Sequence, residues 1–125
     1  MFSDPKGPIT CFEWARFTIN GAVHGPDEGV GKDILLCAEG VSAWHEREGH
    51  KLKPRMLKRA LKLKPEILVI GTGVEGALEI GKKAREAVQA AGAQLVAMRT
   101  PQACQEYNRL FHLGKKVVLL AHGTC

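Results

Sequence analysis

The sequence has no C-x-x-C pair, no internal repeat and no low-complexity stretch. It also lacks any apolar run near the roughly 20 residues that cross a bilayer. The first absence argues against a disulfide framework or a cysteine-rich zinc fold. The second excludes solenoids and propellers. The last gives no reason to expect a membrane span. The opening stretch MFSDPKGPIT lacks the basic region and apolar core of a secretory signal, so the expected compartment is the cytosol. There Cys11, Cys37, Cys104 and Cys125 are expected as free thiols. No metal and no cofactor is expected. Aromatic residues are few, at 6%, so stacking platforms for nucleic-acid bases are not evident.

What remains is ordinary for one globular domain of 125 residues, with 45% hydrophobic and 25% charged positions. Charge is unevenly placed. KLKPRMLKRALKLK, residues 51–64, carries seven basic residues and no acid, and leaves the rest of the chain slightly acidic. Lys51, Lys53, Arg55, Lys58, Arg59 and Lys62 are therefore a candidate basic surface for nucleic acid or an acidic protein. Solvation of a helix face is the simpler explanation, and nucleic acid is not favoured.

Residues 1–9 read as a frayed tail. Alternation from Cys11 to Ile19 predicts one strand, and Asn20-Gly21 a reversal. Residues 24–32, HGPDEGVGK, read as a turn-rich loop. Strands are expected over residues 33–38 and 41–45. A helix follows, with Pro54 in its first turn and Met56, Leu57, Ala60, Leu61 and Lys64 on one face. Then come a strand over residues 66–70 and a helix marked by Ala77, Ile80, Ala84, Ala87, Val88 and Ala91. A strand over residues 94–98 leads to a helix capped by Thr100 and started by Pro101, with Ala103, Tyr107, Leu110 and Phe111 inward. The last strand spans residues 117–121. Three helix–strand repeats imply an α/β fold with a parallel core sheet. The early strands should extend that sheet antiparallel or form a small second sheet.

The stretch ILVIGTGVEGAL, residues 67–78, carries G-x-G-x-x-G after a strand. In a dinucleotide site such glycines permit a tight turn and let a pyrophosphate meet free N–H groups at a helix start. Here the next strand ends Met98-Arg99-Thr100, with no carboxylate for a ribose. Gly81 also suggests that the helix starts late. A plain structural turn is the favoured reading, with another small anion as a weaker one. Because parallel strands bring their ends to one edge, Gly71, Thr72, Gly73, Arg99, Thr100 and His122 form the candidate ligand groove.

Two further patterns invite chemistry. His45-Glu46-Arg47-Glu48-Gly49-His50 fails the H-E-x-x-H zinc pattern by one residue, and histidines five apart diverge on a helix. His122 and Cys125 in AHGTC could pair as base and thiol, but no third orienting group is evident.

Several motifs together resemble one small-domain family. They are FEWARFTING, Trp44 followed by REGH, PEILVIGTGVEGAL, Thr100 with Ala103, Tyr107-Asn108 and the final HGTC. The chain resembles the Mth nine-three-eight-like domain over about residues 9–125. That resemblance implies a three-layer αβα fold with a mixed central sheet and an added β layer. It implies no assigned catalytic residue. Relatives include a mitochondrial complex I assembly factor and an adipogenesis-associated protein, which look like accessory proteins. The loop over residues 24–32 is longer than the family's usual connection. The expectation is a non-catalytic binding or assembly accessory, a monomer or homodimer, with an unknown protein partner. A small anionic or nucleotide ligand, or an enzyme, at Gly71–Gly73 is the alternative, and nucleic acid on residues 51–64 the second.

Overall fold

Alternation within the apolar strands decides the architecture. In a computed structural model describing residues 1–125, β5 (Asp33–Cys37) turns Ile34 and Leu36 to one core and Leu35 to another. The same split recurs in β8 (Ile67–Gly71), where Val69 opposes Leu68 and Ile70. In β11 (Val117–His122), Leu119 and Ala121 oppose Val118 and Leu120. These three strands are therefore covered on both faces, as the interior of a layered α/β fold requires. With β6 (Gly40–Ala43) and β10 (Gln94–Met98) they form a sheet in the order β10-β8-β11-β5-β6. The β10-β8-β11 part is parallel, and β5 and β6 continue it antiparallel.

One face carries α1 (Pro54–Lys62) and α2 (Lys82–Ala90), whose Met56, Leu57, Ala60, Ala84 and Val88 join Leu35 in a first core. Trp44 is buried there, and its indole N–H donates to the Met56 carbonyl at 2.9 Å. The other face carries α3 (Thr100–His112) and a second sheet, β1-β2-β3-β4. That sheet comprises β1 (Phe2–Ser3), β2 (Ile9–Glu13), β3 (Arg16–Ile19) and β4 (Ala22–His24). Phe12 and Phe17 from this sheet meet at 4.7 Å between ring centroids, inside the second core. A parallel pair, β7 (Lys51–Leu52) with β9 (Glu79–Ile80), completes the molecule.

Four expectations change. Residues 1–9 are not a frayed tail. β1 pairs with β2, Ile9 is fully buried, and Asn108 of α3 bonds both the N–H and the carbonyl of Ile9, at 3.1 and 2.8 Å. The predicted strand from Cys11 to Ile19 is a hairpin, folded at Trp14-Ala15, with Ala15 at φ 63°. The second helix begins at Lys82, so Ala77 and Ile80 lie outside it, and Ile80 is in β9. Lys64 lies past the end of α1, at φ 54°.

Candidate functional site

The three parallel strands are level at their carboxyl ends, where Met98 and Ala121 both lie opposite Gly71. Residues 71–73, 99–100 and 122 therefore share one rim. The rim is stitched together rather than open. Thr100 is fully buried, and its hydroxyl accepts from the Gly73 N–H at 2.9 Å and donates to the His122 carbonyl at 2.6 Å. It does not cap α3: Arg99 is the cap position, with no side-chain hydrogen bond. Thr72 donates to the Met98 carbonyl from its N–H, at 2.9 Å, and from its hydroxyl, at 3.1 Å. Arg99 is the one exposed side chain of the set, whereas His122 is buried at 1% exposure.

The glycine loop is filled by the chain itself. The Val74 N–H donates to the Thr124 carbonyl at 2.7 Å, and the N–H groups of Glu75 and Ala77 donate to the main-chain oxygen of Cys125 at 3.2 and 3.0 Å. These donors are the ones an anion would need. Gly73 has φ +106°, and a Cβ there would run into the main chain of Cys125. Since α2 starts only after β9, the helix that follows the loop does not present its N-terminus to it, and the first amide of α3, the Thr100 N–H, is already engaged by the Gly73 carbonyl at 3.1 Å. The main cavities of the molecule are lined by none of the six groove residues.

The basic segment also divides. Lys51 belongs to β7, and Lys53 sits at the N-cap position of α1 with no side-chain hydrogen bond to it. Arg55 is paired with Glu48. Arg59 is tied down from four sides: both Glu46 oxygens at 2.8 and 2.9 Å, the Ser42 hydroxyl at 2.9 Å and the Ala43 carbonyl. Its hydrogen bonds hold the Glu46 carboxyl below the usual range. Lys58 and Lys62 remain exposed. They border an open groove of about 560 Å³ between α1 and α2, lined by Pro54, Arg55, Lys58, Leu61, Lys62 and Ala87.

A different cluster, on the same rim, was not assembled from the sequence. β11 runs antiparallel to β5, so His122 lies directly opposite Asp33. The His122 Nδ1 meets Asp33 Oδ1 at 2.7 Å. Arg47 donates to Asp33 Oδ2 at 3.0 Å and also to the Gly49 carbonyl. Burial pushes the Asp33 carboxyl up, but the hydrogen bonds and charges of His122 and Arg47 outweigh it and hold it at about 2. An ionised Asp33 fixes the proton of a neutral His122 ring on Nδ1 and leaves Nε2 as an acceptor. That Nε2 is 3.8 Å from Cys125 Sγ. The exposed His50 reaches the same sulfur through Nε2 at 3.2 Å. His50 is delivered there by the β7–β9 pairing, with the Glu79 N–H on its carbonyl at 2.8 Å. Gly123 makes the tail's path possible, because a Cβ would strike the Lys32 carbonyl and the Phe17 ring. A thiol flanked by two imidazoles is a donor set that suits a metal. His45, by contrast, points to solvent beside Glu46. The sequence signal for the cluster was the third group that AHGTC lacked. Asp33 supplies it from the start of a strand 89 residues earlier.

Over residues 9–122 the sequence matches the model of a family described as a protein of unknown function (DUF498/DUF598). The chain belongs to this family. Among solved structures, MT938 is 24% identical, with a TM-score of 0.75, covering 94% of this chain and 97% of that one. A Bordetella pertussis protein described as a Mth938-like domain is 20% identical with a TM-score of 0.69, over 98% of this chain and 91% of that one. A Bartonella henselae protein described as an outer membrane protein is 21% identical with a TM-score of 0.77, over 94% of this chain and 95% of that one. At these identities the likeness establishes the fold. The chain's own helices are none of them long and apolar enough to cross a membrane.

Proposed function

We propose that this member of the family is a non-catalytic binding accessory that recognises an acidic protein segment on the α1–α2 face. The open groove there carries the reading. Its walls bear the unpaired Lys58 and Lys62 beside Arg55, which is paired with Glu48, over an apolar floor of Pro54, Leu61 and Ala87. A cationic wall around an apolar floor suits an acidic segment that carries one or two apolar anchors. A nucleic acid is favoured less. Glu46 and Glu48 neutralise two of the arginines, and no aromatic side chain lines the groove. The small-anion alternative at Gly71–Gly73 loses support because Thr124 and Cys125 already take the loop's donors. Four free cysteines fit a reducing compartment such as the cytosol.

The test is calorimetric titration with acidic, leucine-containing peptides and, in parallel, with duplex DNA. Lys58→Glu with Lys62→Glu should weaken peptide binding at least about tenfold, since each close charge reversal is worth a kcal/mol or more. DNA should bind weakly and lose its affinity steeply between 50 and 200 mM salt. Tight, salt-resistant DNA binding, or peptide binding indifferent to both reversals, contradicts the reading.

A further inference from the structure

The geometry points to a mononuclear metal site formed by His50, His122 and Cys125, taking zinc or a similar borderline-soft divalent ion. This inference stands apart from the α1–α2 docking face and does not depend on it.

The ligand atoms of these three residues lie within 4.8 Å of one another. Around a tetrahedral zinc ion, with bonds of roughly 2.3 Å to sulfur and 2.0–2.1 Å to nitrogen, sulfur and nitrogen end about 3.5 Å apart. The observed separations from Cys125 Sγ, 3.2 Å to His50 and 3.8 Å to His122, straddle that value. Both nitrogens thus lie at near-bonding geometry to the sulfur; they themselves are within 4.8 Å of each other and close to the roughly 3.3 Å of a tetrahedral site by movement of the exposed His50 ring.

Their support is of the kind metal ligands have. Metal-bound histidines usually donate their other ring N–H to a carboxylate, which fixes the tautomer. Asp33 holds His122 in that way, and Arg47 in turn holds Asp33. His122 is 1% exposed, so burial and this hydrogen bond together fix the direction of its Nε2. Cys125 is fixed through its main chain, by the glycine loop. The loop thus serves as a clamp for a ligand-bearing tail rather than as an anion cradle.

Three protein ligands leave a fourth position. His50 also lines an open cavity of about 310 Å³ with Glu48, Gly49, Lys51, Lys53 and Arg55. Water or a small anion can reach the ion from that mostly cationic side. A thiol nucleophile is the competing use of the same atoms. In acyl transfer it would need free N–H donors for a developing oxyanion, and those of Val74, Glu75 and Ala77 are all engaged.

The test uses the full chain, stripped with chelator and kept reduced. Zinc is followed by calorimetry and cobalt(II) by absorption. One ion per chain should bind, with a sulfur-to-cobalt charge-transfer band. Cys125→Ser should abolish that band. His50→Ala should weaken zinc binding at least tenfold, the lower end of what losing even a ligand's supporting hydrogen bond costs. Lys53→Ala should change neither. His50 is exposed and Cys125 half-buried, and unfolding curves of the two variants should confirm an intact fold. Absence of stoichiometric zinc or cobalt binding overturns the proposal. So does binding that survives both substitutions, or a sulfur band that persists without Cys125. Rapid selective alkylation of Cys125 in a chain that takes up no metal overturns it in favour of a nucleophile.

Discussion

Thr100 shows how much one hydroxyl can carry. It closes a chain from the Gly73 N–H to the His122 carbonyl, in a place without solvent. Thr100→Val keeps the shape and strands both main-chain groups. At about 1–3 kcal/mol for each buried orphan, it should cost about 2–6 kcal/mol in urea unfolding. Thr100→Ser keeps the hydroxyl and loses one methyl, so it should cost under about 1.5 kcal/mol. Equal losses in the two variants would mean that packing, not hydrogen bonding, holds the rim. The cap role expected of Thr100 was a local inference from threonine before proline. The side chain turns instead to partners on two other strand ends, which no local pattern encodes.

At the scale of elements, Asn108 does for the amino-terminal sheet what Thr100 does for the rim. From α3 it bonds Ile9 at both main-chain groups and Asp4 Oδ2 at 3.0 Å. Asn108→Ala should cost about 1–3 kcal/mol per stranded buried group and speed amide exchange in β1 and β2 before the central sheet. Unchanged exchange there, measured by NMR, would show that pairing with β3 suffices. The strands and helices after residue 53 were largely legible, because long apolar runs and period-3.6 stripes declare themselves. The amino-terminal sheet was not. A two-residue hairpin at Trp14-Ala15 leaves the alternation unbroken to the eye, yet it reverses the chain and places Phe12 beside Phe17. Ala15 gives no warning, since a non-glycine residue rarely takes positive φ. β7 and β9 pair through two residues each, too short to show a period.

At the scale of the whole molecule, parallel strand order accounts for the shared rim, and that much followed from the sequence. What fills the rim did not. Cys125 and His50 are 75 residues apart, and Asp33 comes from a third region. Their meeting depends on β5 lying antiparallel beside β11. The basic character assigned to residues 51–64 was likewise reduced by partners, since Glu46 and Glu48, from the loop before α1, pair with Arg59 and Arg55. The molecule thus separates a closed rim, clamped by its own tail, from an open cationic groove behind α1 and α2.

That closure is most directly tested by amide hydrogen exchange at Val74, Glu75 and Ala77. Engaged by Thr124 and Cys125, these amides should exchange as slowly as those of the central sheet and should not respond to added nucleotide. Exchange at the rate of an exposed turn, or protection that appears only when nucleotide is added, would show that the loop's donors are free, and would contradict the clamp.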